Sequence, residues 1–361
     1  MKRLRRNFAL AATAMVVIVA AAELPSSAAG GVGAKANVSS AGTSRAAQSR
    51  TRAYWTPARM SHAKAMSMGI TQAQAAALGA SGAPSIGKPV TVEPTGGRGV
   101  QPGPLTSPVP AACCPGAAYA YPAPFTRYGV FPNSQYNVYP YRTNGKIFFT
   151  QGASNFVCSG TVVSSAGHWL VETAGHCVAN ATTHTFSTNV LFVPAYRSGS
   201  APFGTWSASR LWTSTDWINN GNLRNDRGFI ILATLNGVKI QDRVGSEGIL
   251  FNQSYLQGFT DFGYPQASPF NGATMQVCTS STEETDPFIG GGGSIPLGIG
   301  CDQTGGSSGG GWIVRFSSVG GYVNGHNDYQ YTSPARPREM FSPYFDNAEL
   351  SLYNCATDNV C

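Results

Sequence analysis

From Tyr128 onward the chain is written in short apolar runs broken by turn residues, and this texture limits its possible folds more than any other feature. The runs are KIFFT (146–150), FVCSGTVVSS (156–165), HWLVETA (168–174), NVLFVPAY (189–196), RGFIILAT (227–234), LQGFTDFGY (256–264), TMQVCTS (274–280), GWIVRFS (311–317) and VGGYVNG (319–325). They are rich in β-branched and aromatic residues and mostly too short for helices, so they predict an all-β sandwich or barrel. A helix is expected only near the C-terminus, in FDNAELSLYN, where Asp346 or Asn347 can cap and Leu350 and Tyr353 sit three apart. The 43 glycines and the 11% of charged residues agree with turns and short strands.

The amino-terminal third reads differently. Residues 1–29 have a basic start (Lys2, Arg3, Arg5, Arg6), an apolar run from Phe8 to Ala22 and a small-residue stretch at Ser27-Ala28-Ala29. That pattern predicts a secretory signal peptide, because the run is too short for a membrane span. Residues 30–80 are rich in Ala, Ser and Met, and PARMSHAKAMSMGITQAQAAALGA (57–80) can form a helix with Met60, Ala63, Met66 and Met68 partly on one side. Residues 81–126 are rich in Pro and Gly and cannot pack a core alone. We read 30–127 as a pro-segment plus linker; a flexible tail that stays attached is the alternative.

The formal charge of +7 is unevenly placed: residues 1–127 hold 13 Lys+Arg against 2 acids, and residues 128–361 hold 11 against 15. The folded part is therefore acidic and gives no support for nucleic-acid binding. The eight cysteines, at 113, 114, 158, 177, 278, 301, 355 and 361, suit disulfides in an oxidising compartment. They contain no Cys-x-x-Cys and no zinc-like spacing with histidine, so neither a structural metal nor a cofactor is expected.

The stretch VVSSAGHWLVETAGHC (162–177) holds two of the five histidines. His168 falls at a reversal between two runs and reads as a surface turn residue. His176 follows a strand end beside Cys177. Taken singly it is an ordinary histidine; pinned by a disulfide it would have the fixed ring position that a general base needs. Two further stretches favour the base. NDRGFIIL (225–232) places Asp226 just before a strand, and GCDQTGGSSGGGW (300–312) places Ser308 among glycines. A nucleophilic serine needs a base, the base needs an acceptor to hold its tautomer, and glycines let the N–H groups of Gly306 and Ser308 form an oxyanion hole.

With these motifs the region of roughly 130–350 resembles the chymotrypsin/trypsin-like serine peptidases, in the secreted bacterial branch that includes the glutamyl endopeptidases. TAGHC is similar to that family's histidine motif and GGSSGG to its serine motif. The resemblance implies two antiparallel six-stranded β-barrels, one over 128–245 carrying His176 and Asp226, the other over 246–361 carrying Ser308 and ending in the helix. It also implies disulfides Cys158–Cys177 and Cys278–Cys301. His176 would act as base and later acid, Asp226 would orient it, and Ser308 would attack the carbonyl. The implied partners are protein or peptide substrates, met outside the cell by a monomer with no nucleic acid, membrane or cofactor.

The family pattern is broken in three places. Ser307 stands where the animal enzymes have the Asp that receives a new N-terminus on activation. Gly311 stands where Pro is frequent. Val323 stands at the expected place of the His that marks glutamate specificity. Asp302, six residues before Ser308, could sit at the base of a specificity pocket for Arg or Lys, or cap a loop. His326 could form a pocket wall or lie exposed, and Asn324 could bind substrate backbone. Cys355 and Cys361 could pair with each other or with Cys113 and Cys114. TEETD (282–286) reads as a solvated loop sooner than a calcium site.

Two rival readings stand beside this one. Gly306-Ser307-Ser308-Gly309-Gly310 also fits the Gly-x-Ser-x-Gly of α/β-hydrolase esterases, but the order of triad residues and the polar segment before the serine do not. A peptidase-like barrel that has lost its chemistry and serves as a binding module is the other.

Overall fold

The computed structural model describes residues 36–66, 69–79, 83–96, 124–286 and 288–361. Residues 1–29, expected to be a signal peptide, most of the Pro/Gly-rich stretch, and Cys113 and Cys114 lie outside the described residues. No helix among the described residues is long and apolar enough to cross a membrane.

Two barrels organise the chain from residue 144 on. The first uses β1 (Asn144–Gln151), β2 (Ser154–Val162), β3 (Leu170–Thr173), β4 (Thr188–Pro194), β5 (Trp206–Ser214) and β6 (Gly228–Leu232). Its antiparallel ladders run β5-β4-β1-β2-β3-β6 and close with β6 back on β5. The second uses β7 (Gly258–Gly263), β8 (Gln276–Thr285), β9 (Leu297–Gly300), β10 (Gly311–Ser317), β11 (Gly320–His326) and β12 (Glu339–Ser342). Its antiparallel order is β12-β9-β8-β7-β10-β11. The ends meet just beyond β11, where Asp328 N–H donates to the Phe341 carbonyl and Phe341 N–H to that of Tyr329, each at 3.0 Å. Within each barrel the cyclic order is therefore the same: first, second, third, sixth, fifth, fourth. Closure of the first barrel pairs edge groups that an open sheet would leave bare.

Apolar side chains of both barrels, among them Phe148, Val157 and Leu191 with Phe262, Ile313 and Val323, share one buried cluster, and further clusters fill each barrel. The C-terminal helix Asn347–Asp358 forms as expected, with Asp346 accepting from the N–H groups of Ala348 and Glu349. It docks through Leu352, Tyr353 and Ala356. Disulfides join Cys158 to Cys177, Cys278 to Cys301 and Cys355 to Cys361, the last pair closing on itself at the helix end.

The stretch 57–80 is not one helix. A helix covers Pro57–His62, capped by Thr56; strands follow at Lys64–Ala65 and Gly69–Thr71, then a short helix Gln72–Ala76 with a Thr71/Gln74 capping box. Backbone pairing with the barrels replaces helical bonds here: Lys64–Ala65 runs parallel to Phe156–Val157 and Gly69–Thr71 parallel to Gln330–Ser333. Upstream, Ala36–Ser39 extends β5 and the buried Trp55 packs on Phe148. Val90–Val92 pairs with Gly248–Phe251, which itself lies parallel to β11.

Glu247 joins the two halves. Its N–H donates to the Val162 carbonyl, and its side chain, fully buried, meets the Gly321 N–H at 2.7 Å and the Thr143 hydroxyl at 3.1 Å. Thr143 has one hydroxyl proton and already places it on the Pro140 carbonyl at 2.7 Å. The same hydroxyl also faces Glu247 Oε1, so its one proton serves two acceptors. Burial pushes Glu247 up to about 8, against the hydrogen bonds from Gly321 and Thr143. A raised folded-state value stabilises the fold fully below the ordinary carboxyl range, and that contribution is lost as pH rises through about 8. Glu247→Gln keeps the neutral form, so its Tm relative to wild type should climb between pH 5 and pH 8. Parallel melting curves across that range check this; a constant difference would mean that Glu247 is ionised throughout.

Candidate active site

His176 stands on a single helical turn, Gly175–Val178, immediately after β3. Cys177 ties that turn to Cys158 on β2. Gly175 is needed for its lack of a side chain: a Cβ there would lie 2.7 Å from Asp226 Oδ1. Asp226 follows the turn Leu223–Asn225 and leads into β6. Its carboxylate clamps His176 twice, Oδ1 accepting the backbone N–H at 2.7 Å and Oδ2 meeting Nδ1 at 2.8 Å. With Nδ1 carrying the proton, Nε2 is the basic nitrogen, and it makes no hydrogen bond among the described residues. Burial works against the imidazolium, but the charge and hydrogen bond of Asp226, with a further contribution from Asp328, outweigh it and push His176 up to about 9.

Ser308 reaches the same place from the second barrel. Its carbonyl accepts the Ser159 N–H at 2.7 Å and lies 3.7 Å from Cys177 Sγ, one residue from His176. Gly309, at φ +76°, presses so closely on the histidine strand that a Cβ would stand 2.0 Å from Thr173 Oγ1. The loop is braced from below by the buried Asp261, whose two oxygens take Asn327 Nδ2 at 2.8 Å and Gln303 Nε2 at 3.0 Å. Asn327 in turn exchanges backbone bonds with Gly309 and Gly310. Gly306 N–H, one of the two expected oxyanion donors, gives its proton to the Met66 carbonyl at 2.7 Å.

A third acid meets the pair. Asp328 Oδ1 lies 3.5 Å from His176 Nδ1, and the ring nitrogen and one oxygen from each of Asp226 and Asp328 all fall within 4.8 Å of one another. Two buried carboxylates this close repel, which disfavours charging both. Burial and the neighbouring Asp226 raise Asp328 well above its ordinary range, against the opposing pull of His176, and so favour its neutral form. Its sequence context, HNDY, gave no motif that could have marked it. Behind the site, His326 links Asp226 to the helix side of the barrel: Nε2 meets the Asp226 carbonyl at 3.1 Å and Nδ1 meets Glu172 at 2.6 Å. Burial lowers His326 to about 4, so the ring is neutral and donates from Nε2.

Beside Ser307 and Ser308 lies a cavity of about 290 Å³ whose far wall includes Tyr329, Tyr331, Ala335 and Met340. The residues expected to shape it are elsewhere. Asp302 is held by Arg127 at 2.8 Å outside the cavity, because the strand Thr126–Gly129 pairs along β8 and brings Arg127 to the loop. Asn324 is buried in β11, donating to the Leu250 carbonyl at 2.8 Å, and Gln257 donates to its oxygen. His326 is fully buried, and Val323 is a core residue; this strand reaches the cavity only from Asn327 on. His168 is the turn residue expected, at φ +58° and paired with Asp242 at 2.7 Å. Asp286, at the end of TEETD, is not a solvated acid: it accepts the buried hydroxyls of Tyr329 and Tyr331.

No protein-family model matches the chain. A glutamyl endopeptidase of Bacillus licheniformis is 30% identical over 129 residues, which is 35% of this chain and 37% of that relative. The chain thus matches little more than a third of that curated relative's length. Among solved structures, the protease Anisep from Arthrobacter nicotinovorans is 40% identical, with a TM-score of 0.57 over 64% of this chain and 100% of its own. The thermostable serine protease AL20 from an extremophilic microorganism is 39% identical, with a TM-score of 0.56 over 60% of this chain and 97% of its own. A Glu endopeptidase at 20% identity, with a TM-score of 0.50, shares the fold. Identity near two in five along the whole length of two proteases is more than a common architecture requires, and on this ground the chain belongs to the chymotrypsin-like serine endopeptidases.

Proposed function

We propose that this chain is an exported enzyme, made as a precursor, that cuts protein or peptide substrates with His176, Asp226 and Ser308. The observation that carries the reading is the double clamp of Asp226 on His176, which leaves Nε2 bare beside the Ser308 loop. Nε2 takes the hydroxyl proton as Oγ bonds to the scissile carbonyl carbon. The negative charge that develops on the carbonyl oxygen is met by the N–H groups of Gly306 and Ser308. Collapse of the tetrahedral species breaks the C–N bond, and the imidazolium returns its proton to the leaving amine. Water then repeats the sequence and frees the acyl group from Ser308. A hydrogen bond from Ser308 to Nε2 tightens in this scheme when substrate arrives. Cleavage after basic residues is not part of the proposal, because Asp302 is spent on Arg127. The disulfides favour an extracellular setting, and a monomer suffices, since each residue named comes from one chain.

A fluorophosphonate probe tests this. It should modify Ser308, identified by mass on the peptide that contains it, and His176→Ala should abolish the reaction. Label on another serine, or label surviving Ser308→Ala, would rule the assignment out.

Asp328 enters the scheme as a neutral acid that keeps a second negative charge away from the ring. Asp328→Asn preserves that neutrality. It should change kcat/KM by no more than about threefold and leave the acid limb of the pH profile in place. An ionised Asp328 would have been holding His176 up, so a downward shift of that limb in the variant would show the acid to be charged.

A further inference from the structure

The described parts of residues 63–71 lie along both sides of the candidate nucleophile. Upstream, the Ala63 carbonyl accepts from Gln266, and Lys64–Ala65 pairs with Phe156–Val157 on β2. Met66 N–H donates to the Val157 carbonyl at 3.1 Å, and the Met66 carbonyl takes the Gly306 N–H. Downstream, Gly69 lines the cavity together with Ser307 and Ser308, and Gly69–Thr71 pairs with Gln330–Ser333, the strand that continues from the cavity wall. Both ends of this stretch are anchored. Before it, Trp55 is buried and donates from Nε1 to the Asn189 carbonyl. After it, Ala75 is fully buried and its carbonyl accepts the Gly290 N–H at 2.8 Å, as that of Leu78 accepts Gly291 N–H.

We propose that the described parts of this stretch, 63–66 and 69–71, act as a built-in inhibitor that occupies the cleft as a peptide does but is not cut there. The inference rests on the triad reading above and names how that site is regulated. A productive substrate must let one residue do two things: give its carbonyl to the oxyanion donors and place its side chain in the adjoining cavity. In this chain the two tasks are split. Met66 supplies the carbonyl, while its side chain packs against the first barrel's core with Cys158 and Cys177. Gly69, three residues on, supplies the cavity contact and has no side chain to place. The carbonyl at the Gly306 N–H is thus out of step with the residue at the cavity. Strand pairing gives hold without productive register, the same backbone bonding by which peptides add to sheet edges. The solved protease relatives cover 64% and 60% of this chain, and the part they leave over is close to what precedes the barrels. An enzyme of the barrels alone would have the cleft open.

The test compares the rate of fluorophosphonate labelling at Ser308 in the full chain, in Met66→Pro and in Ile70→Pro. Proline at 66 removes the N–H given to Val157; proline at 70 disturbs the pairing with Tyr331. Trp55→Ala, distant from the chemistry, loosens the upstream anchor should the proline variants fold poorly. A fourth sample is the full chain after limited proteolysis has removed the residues before the barrels. Slow labelling of the intact chain, with acceleration of about tenfold or more in the variants and the cut form, supports the inhibitor. A synthetic peptide of residues 60–76 should then slow the cut form again and be recovered whole. Equally fast labelling in all samples would overturn the inhibitor and leave the triad standing, as would hydrolysis of the peptide between 66 and 67. Absence of Ser308 labelling in every sample, the cut form included, would sink the triad reading and the inhibitor with it.

Discussion

Asp226→Asn should lower kcat of the cut enzyme by about 10,000-fold near neutral pH while the fold stays intact. The geometry forces the outcome. The backbone N–H of His176 can only donate, so the amide oxygen of an asparagine must take the Oδ1 position, 2.7 Å away. Its NH₂ then faces Nδ1 at the Oδ2 position, 2.8 Å away in the wild type. Two donors cannot share that contact, so Nδ1 gives up its proton and the ring carries it on Nε2 instead. An Nε2 that already holds a proton cannot accept one from Ser308. The charge that lifts His176 to about 9 also disappears, so the acid limb of kcat/KM should move down in pH as the maximum falls. Steady-state rates on a chromogenic peptide from pH 5 to pH 10 would check both effects. A variant within tenfold of wild type at all pH values would mean that Asp226 does not set the tautomer.

Ser308→Ala should cost still more, about a million-fold in kcat, leaving the activity that binding and the oxyanion donors provide without a nucleophile. The effect belongs to chemistry alone. Among the described residues the Ser308 side chain makes no hydrogen bond that the fold would miss, and the loop is held by its backbone, through Ser159 to the Ser308 carbonyl and through Asn327 to Gly309 and Gly310. Melting temperature and substrate KM should therefore hardly move while turnover vanishes. Double substitution with His176→Ala should add almost nothing, because the two residues act as one unit. Additive losses in that double variant would show that they do not.

The strands read from the sequence as apolar runs are the ones with strong local signals. KIFFT, RGFIILAT and GWIVRFS became β1, β6 and β10 because β-branched and aromatic residues crowd there. WSASRLWTS gave no such signal, since polar residues interrupt it, yet Trp206–Ser214 is β5 and closes the first barrel by pairing with β4 on one side and β6 on the other. Its place is decided by two ladders and not by its own composition. The helix read over 57–80 failed for a related reason. Its methionines have helical spacing, but the open edges at Val157 and Gln330 offer backbone partners that an isolated helix cannot outbid.

In the candidate site, the proposed triad of His176, Asp226 and Ser308 was read from the sequence because each sits in a short motif whose residue types have one chemical use in common. Asp302 and Asn324 were misplaced for want of partners that sequence order does not reveal: Arg127, 175 residues away, takes the first, and Leu250 and Gln257 enclose the second. Asp328 and Asp261 went unread because a buried acid has meaning only through its neighbours. The chain's own order of residues settled the all-β class and the terminal helix with its Asp346 cap, and it pointed to the three groups proposed to react, since each depends on a local pattern of side chains. Tertiary structure alone decided which carboxyl is pushed toward its neutral form, what lines the cavity and where residues 63–66 and 69–71 lie, since desolvation, charge pairing and strand addition are properties of groups that meet only after folding.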